Sequence, residues 1–93
     1  MLEAKLTIVN KLGLHARAAG KLVNLTKTFS SQVKLARADE NDPEAVDGKS
    51  IMAVMLLAAP IGSELLVSVD GDDEDAAMAA ISALIADRFG EEE

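Results

Sequence analysis

The chain has 93 residues, a formal net charge of −7 and no cysteine. This length fits one small domain, residues 1–93, that buries roughly 60% of its unfolded surface, and the lack of cysteine excludes disulfides. The acidic charge and the presence of only two aromatic residues argue against a nucleic-acid partner. The longest apolar run, Ile51 to Ile61, is too short to cross a bilayer, and no secretory signal pattern precedes it. We therefore expect a cytoplasmic protein with no membrane insertion.

An alternating pattern at the start of the chain predicts a strand over Leu2 to Val9. Asn10 and Gly13 interrupt the alternation. From Ala16 to about Thr28, apolar residues recur at helical spacing and predict an amphipathic helix. The residues of its apolar side are Ala18, Ala19, Leu22, Val23, Leu25 and Phe29.

The only histidine, His15, lies at the junction between this strand and this helix. A neutral imidazole is nucleophilic near neutral pH, and the free backbone N–H groups of Ala16, Arg17 and Ala18 at a helix start attract anions. The guanidinium of Arg17 is suited to phosphate oxygens. The combination predicts a phosphoryl-accepting histidine, and the alternative is a surface histidine without a function.

A basic edge accompanies His15 in this acidic chain, formed by Lys11, Arg17, Lys21 and Lys27. It is either an ordinary solvated helix face or a surface that steers an acidic partner. Gly20 weakens the helix by about 1 kcal/mol relative to alanine, which indicates either close packing or access for a partner at this turn.

The middle of the chain predicts a hairpin followed by a short helix. A strand over Gln32 to Ala38 has Val33 and Leu35 inward, Asn41-Asp42-Pro43 indicates a turn, and a short return strand follows near Ala45 and Val46. A helical run from Ile51 to Ala59 comes next.

Ser50 precedes this short helix and is a good N-cap, so it needs no further function. It is alternatively a regulatory phosphorylation site. Val54 and Leu57 are the better core candidates of the helix. The remaining large apolar residues, Ile51, Met52 and Met55, are either core or a docking surface for partners.

The last part of the chain predicts a strand over Glu64 to Val69 and a long helix. Four acidic residues, 72–75, complement the dipole at the helix start, and they lack the ligand spacing of a calcium loop, so we predict no metal. Arg88 suits the last helical turn, Gly90 ends the helix, and Glu91 to Glu93 form a frayed acidic tail. The apolar side of this helix consists of Ala77, Ile81, Leu84, Ile85 and Phe89.

The predicted order is strand, helix, strand, strand, helix, strand, helix. Strands with one apolar face each, and no second sheet to cover them, need helices on that face. The fold class is therefore α/β (α+β), a four-stranded antiparallel sheet covered on one face by three helices. Spacing does not fix the strand order.

Two motifs resemble one known family. Gly13-Leu14-His15-Ala16-Arg17 is similar to the active-site signature of HPr, the histidine-containing phosphocarrier family of the phosphoenolpyruvate-dependent phosphotransferase system. Gly48-Lys49-Ser50-Ile51-Met52-Ala53-Val54-Met55 resembles the family's regulatory serine segment. The resemblance implies the HPr fold over essentially the whole chain, with the first and last strands paired centrally.

The resemblance also implies a function. Phosphorylated Enzyme I would pass a phosphoryl group to Nδ1 of His15, which would hand it to a histidine on an enzyme IIA domain, with Arg17 stabilising the phosphoryl oxygens. The protein would be a stoichiometric carrier, not an enzyme, and would need no cofactor. We expect a monomer.

In many bacteria the corresponding serine of the family is phosphorylated by a dedicated HPr kinase/phosphorylase. The resemblance therefore implies that Ser50 is a regulatory phosphorylation site. The docking positions that it implies are Ile51, Met52 and Met55, and we add Gly20 and Lys21 from the helix turn and the basic edge. The chain departs from the family in two places: Ala18 stands where many members have proline, which would loosen the first helical turn, and the segment 39–47 is a few residues longer.

Two alternatives remain beside a sugar-transport carrier. One is a carrier of the paralogous nitrogen-related regulatory system, which shares the histidine site. The other is an interaction module that has kept the fold without being phosphorylated. Retention of both His15 and Arg17 argues against the module, and the intact segment Lys49–Met52 favours the kinase-regulated branch.

Overall fold

The computed structural model describes residues 1–41 and 43–91. Its elements follow the predicted order, and the α+β class with helices on one face of an antiparallel sheet is confirmed. The elements are β1 (Leu2–Thr7), α1 (Ala16–Thr26), β2 (Gln32–Arg37), β3 (Val46–Asp47), α2 (Ile51–Leu56), β4 (Glu64–Asp70), α3 (Glu74–Ala86) and a 3₁₀ turn (Arg88–Gly90).

The sheet has the order β1-β4-β2-β3, and all neighbouring strands are antiparallel. Leu2 lies opposite Val69 in the β1–β4 pair, and Gln32 lies opposite Asp70 in the β2–β4 pair. The expectation that the first and last strands are paired centrally is therefore only half right. β1 and β4 do pair, but β2 occupies the other side of β4, so β4 and β2 are central and β1 is an edge strand.

The core lies between one face of the sheet and the helices. β1 alternates as predicted, and the inward residues of β2 and β4 are buried because the pleat turns every second side chain toward the helices. Burial of each large apolar side chain contributes about 1.5–3 kcal/mol. The opposite face carries exposed charges such as Glu3, Lys5 and Lys34. The core includes Ile8, Ala18, Ala19, Leu22, Val33, Leu35, Val54, Leu65, Val67, Val69, Ala77, Ile81, Ile85 and Phe89.

The first two helices are shorter than predicted. α1 ends at Thr26 and not near Thr28. α2 ends at Leu56, since Ala58 is left-handed with φ 49°, and Ala59 is buried from the loop and not from the helix.

The prediction for the end of α3 is wrong. The helix ends at Ala86, and Arg88, Phe89 and Gly90 all have left-handed φ values of 57°, 55° and 77°. The chain therefore turns back after α3, and Arg88 does not belong to its last turn. Phe89 is buried from this 3₁₀ turn at 1% exposure, and Nζ of Lys21 donates a hydrogen bond to its carbonyl oxygen at 2.6 Å.

The predicted hairpin is present, with β3 pairing Val46 to Leu35 and Asp47 to Lys34. Its return strand begins one residue later than expected. The turn predicted at 41–43 includes Asp42, which lies outside the described residues.

One carboxylate joins the start of α3 to the start of β2. Asp73 accepts hydrogen bonds from the backbone N–H groups of Ser30 and Ser31 at 2.9 and 3.0 Å, and from the hydroxyl of Ser31. The Ser31 hydroxyl and the Ser30 N–H stabilise the charged form and lower the pKa of Asp73 to about 2. This contact closes the end of the sheet where β2 begins.

None of the helices within residues 1–41 and 43–91 has the length and apolar character that a membrane crossing requires. The same residues contain no group of three or more His, Cys, Asp or Glu side chains able to hold a metal ion.

Candidate functional site

His15 is the N-cap of α1. Its backbone is extended, and Nδ1 accepts a hydrogen bond from the backbone N–H of Arg17 at 3.2 Å. An accepting nitrogen carries a lone pair, so the proton of the neutral ring is on Nε2. Nδ1 therefore lies directly at the positive end of the helix, and the predicted position of His15 at the start of α1 is confirmed.

The loop before His15 is held closely against another part of the chain. The N–H of Leu14 donates to the carbonyl oxygen of Ala59 at 2.8 Å. Gly13 has φ 69°, and a Cβ atom there would lie 2.6 Å from the same oxygen and 2.9 Å from Cα of Pro60. Glycine is required at this position because a side chain would push the loop away.

The start of α1 presents donors for an anion. The backbone N–H groups of Ala16 and Ala18 have no acceptor among the described residues, and that of Arg17 is bonded only to His15. The guanidinium of Arg17 is exposed and makes no hydrogen bond or ion pair within residues 1–41 and 43–91. The predicted phosphate-binding groups and His15 thus share one helical turn.

Glu91 also belongs to this site, and the prediction of a frayed tail is wrong for it. Its Oε2 pairs with Nε2 of His15, and its Oε1 accepts a hydrogen bond from Nδ2 of Asn10 at 2.8 Å. The hydrogen bonds from Asn10 and then from His15 lower the pKa of Glu91 below its usual value. Residues 92 and 93 of the predicted tail lie outside the described residues.

Sequence reasoning missed Glu91 and Asn10 for identifiable reasons. In the sequence Asn10 only interrupts the strand pattern, yet it is fully buried, which an amide allows only with hydrogen-bond partners. Glu91 follows the pair Phe89-Gly90, an apolar residue and a glycine that together can return a chain to the core. That pair is the available signal for a C-terminal segment packed on the domain.

The basic edge lies along the exposed side of the same region, with Lys11, Arg17, Lys21 and Lys27 all exposed. Lys21 has a structural contact as well, because its Nζ is bonded to the carbonyl of Phe89. The predicted docking residue therefore also closes the 3₁₀ turn.

Ser50 caps α2, as predicted. Its Oγ accepts a hydrogen bond from the backbone N–H of Ala53 at 3.3 Å, and Val54 below it is fully buried, while Leu57 is only partly buried.

Three of the predicted docking residues form an apolar patch on α2, together with Leu56, which was not predicted. Exposure is 43% for Ile51, 71% for Met52, 42% for Met55 and 80% for Leu56. Gly20 of α1 adjoins this α2 patch, and a Cβ atom there would lie an ordinary 3.7 Å from Cδ1 of Ile51. Close packing therefore does not require glycine at position 20.

Comparison with known proteins identifies the family. Residues 2–87 match the family model described as the PTS HPr component phosphorylation site. The chain is 56% identical to phosphocarrier protein HPr of Cupriavidus necator over the full length of both chains, and 49% identical to that of Pseudomonas aeruginosa over 96% of each. The crystal structure of HPr-C-His from Thermoanaerobacter tengcongensis superposes with a TM-score of 0.90 at 42% identity over the full length of both chains. The chain therefore belongs to the HPr family of phosphocarrier proteins of the phosphotransferase system.

Proposed function

We propose that this phosphocarrier accepts its phosphoryl group on Nδ1 of His15 from phosphorylated Enzyme I and transfers it to enzyme IIA domains. The observation that carries the proposal is the position of Nδ1 at the N-terminus of α1, beside unpaired N–H groups and an exposed arginine. A nucleophile and the donors that neutralise a phosphoryl group stand together there.

The transfer needs only groups of this chain and of its partners. The Nδ1 lone pair attacks phosphorus in line, the bond to the donor nitrogen breaks, and its electron pair stays on the donor. The N–H of Arg17 is then released from Nδ1 and becomes available to a phosphoryl oxygen, as do the N–H groups of Ala16 and Ala18. Positioning and charge neutralisation suffice for such a step, so the protein acts as a stoichiometric carrier without a cofactor or metal.

Regulation at Ser50 is the second part of the proposal. A kinase such as HPr kinase/phosphorylase would phosphorylate Ser50, which is partly exposed at the start of α2, next to the α2 patch. A phosphoryl dianion there would oppose the burial of Ile51, Met52 and Met55 under a partner. The exposed methionines support a docking role, since flexible thioethers adapt to several partners.

The intact segment Lys49–Met52 favours the sugar-transport branch over the nitrogen-related one. In this proposal the carrier acts as a cytoplasmic monomer. Transfer from the phosphorylated protein to purified enzyme IIA domains of both branches distinguishes them, and exclusive transfer to the nitrogen-related domain would contradict the sugar branch.

Incubation with Enzyme I and phosphoenolpyruvate tests the carrier function itself. We expect a gain of one acid-labile phosphoryl group by mass spectrometry, and none for His15→Ala. A wild-type protein that stays unmodified while a known HPr is phosphorylated in the same mixture would refute the proposal and favour the interaction module.

A further inference from the structure

The segment after α3 is folded back onto the proposed acceptor histidine. The Glu91 side chain is only 14% exposed, and its two carboxylate oxygens contact two different residues of the loop before α1. One oxygen pairs with Nε2 of His15, and the other accepts a hydrogen bond from Nδ2 of Asn10. The carboxylate therefore bridges Asn10, in the loop after β1, and His15, the N-cap of α1.

Asn10 is committed to this contact. It is fully buried, and its Nδ2 donates both to the carbonyl oxygen of Gly13 at 2.7 Å and to Glu91. Its Oδ1 has no hydrogen-bond partner within the described part of the chain. A buried acceptor without a partner is unfavourable. The amide nevertheless keeps this orientation, because it lets Nδ2 donate to both Glu91 and the carbonyl oxygen of Gly13.

The backbone that brings Glu91 to His15 is specialised as well. Arg88 and Phe89 both adopt left-handed φ values, which are uncommon for residues other than glycine. Burial of Phe89 and the hydrogen bond from Lys21 hold this conformation. Glu91 therefore reaches His15 from an ordered turn.

We propose that Glu91 is a positioning residue for phosphoryl transfer, an inference that rests on His15 being the acceptor. Its carboxylate accepts the hydrogen bond of Nε2–H, which keeps the lone pair on Nδ1. It also stabilises the positive charge that the ring acquires when Nδ1 binds phosphorus.

The charge balance of the step explains why a carboxylate is useful there. Formation of the N–P bond consumes the Nδ1 lone pair, and Nε2 keeps its proton, so the ring becomes cationic. Glu91 faces Nε2, on the side of the ring away from the phosphoryl group, whereas Arg17 and the start of α1 lie on the phosphoryl side. The lowered pKa of Glu91 keeps the carboxylate ionised at neutral pH. Hydrogen bonds between charged partners are about twice as strong as neutral ones, so the contact strengthens as the reaction proceeds.

Two substitutions separate charge from contact. Glu91→Gln keeps the volume and an acceptor but removes the charge, and Glu91→Ala removes both. Glu3→Gln is the matched control, because it removes the same charge from the open face of the sheet, where Glu3 contacts Ser68. Thermal melting of each variant tests whether the fold is retained.

We expect the turnover of Enzyme I-dependent phosphorylation to fall about tenfold in Glu91→Gln and further in Glu91→Ala, because a charge-assisted hydrogen bond is lost. The apparent KM for the carrier should be unchanged, and the control should behave as wild type. In proton NMR spectra, the Nε2–H resonance of His15 should be observable in the wild type and lost to solvent exchange in Glu91→Ala.

Different outcomes overturn different statements. A wild-type protein that Enzyme I does not phosphorylate refutes the proposed function and this inference with it. If the wild type is active and both Glu91 variants match its turnover, or if only the apparent KM rises, the positioning role alone is refuted.

Discussion

At the scale of single residues, the proposed chemistry depends on the charged groups near Nδ1 of His15, above all on Arg17. Arg17 is the one guanidinium on the first turn of α1, and the described residues offer it no competing partner. A planar guanidinium can bind two phosphoryl oxygens at once, which an ammonium group cannot. Its contribution should therefore appear in transfer and not in stability.

Arg17→Ala should slow phosphoryl transfer ten- to a hundredfold, about 1.4–3 kcal/mol in the barrier, as expected for one lost charge-assisted contact. Rapid-quench measurement of transfer from phosphorylated Enzyme I checks this, and circular dichroism should be unchanged. Arg17→Lys keeps the charge but not the planar fork, so it should recover only part of the rate. Wild-type rates in Arg17→Ala would mean that the backbone N–H groups alone hold the phosphoryl group.

The residues of the site differ in how far sequence could predict them. His15 and Arg17 lie in one contiguous motif, and the donors of Ala16 and Ala18 follow from any helix that starts there. The His15–Glu91 contact spans 76 positions and depends on left-handed Arg88 and Phe89. A pattern of apolar residues contains no information on such a turn, because Phe89 is equally apolar on a helix face and in a 3₁₀ turn.

At the scale of elements, α2 combines a cap and a surface. Ser50 bonds the first turn of the helix, whereas the residues that follow it are mostly exposed. The sequence predicts the cap because a cap is local. It leaves Ile51, Met52 and Met55 open between core and surface, and only the family resemblance favours a docking surface there. It did not predict the end of α2, since buried Ala59 continues the apolar pattern after the helix has stopped at Leu56.

Ser50→Asp and Ser50→Ala separate the cap from the proposed switch. Aspartate is a good N-cap and its charge is favourable at a helix start, so Ser50→Asp should melt close to the wild-type temperature. It should nevertheless accept phosphoryl from Enzyme I with a raised apparent KM, because the charge lies beside the α2 patch. Ser50→Ala should lose about 0.5–1 kcal/mol of stability, with transfer nearly unchanged.

Thermal melting and steady-state assays with Enzyme I measure both effects on the same samples. The two variants serve as each other's control, since one retains the cap and the other retains the uncharged surface. If Ser50→Asp has the wild-type rate and apparent KM, the regulatory proposal fails and Ser50 is a cap alone.

At the scale of the whole molecule, the architecture depends on the strand order of the sheet and on contacts between loops that are distant in sequence. Alternation predicted which face of each strand is buried, because that depends only on the period of the side chains. It could not predict that β4 pairs with β1 on one side and with β2 on the other. Nor could it assign Asp73, which looks like one of several acids at a helix start, to the N–H groups of Ser30 and Ser31, more than forty positions earlier.

The Asp73 contact predicts how the stability of the whole domain depends on pH. Its pKa in the folded protein is about 2, below the value of about 3.9 for an unperturbed aspartate, so the folded state favours the ionised form. The stabilisation is therefore fully present above pH 4, and it is lost as the pH falls from about 4 through 2, where the folded-state carboxyl becomes protonated. The melting temperature of the wild type should decrease in this window. Asp73→Asn should be less stable than the wild type at neutral pH and should show a flatter dependence between pH 4 and 2.

Asp75→Asn is the matched control for this measurement. It removes the same charge from the first turn of α3, and Asp75 makes no hydrogen bond or ion pair with any residue that the structure describes. Its melting temperature should therefore follow the wild-type pH profile closely, with a small offset from the helix dipole at neutral pH that disappears in acid. If Asp73→Asn loses stability in acid as steeply as the wild type, protonation of Asp73 does not contribute to acid unfolding, and the lowered pKa of Glu74 or Glu91 would account for the slope instead.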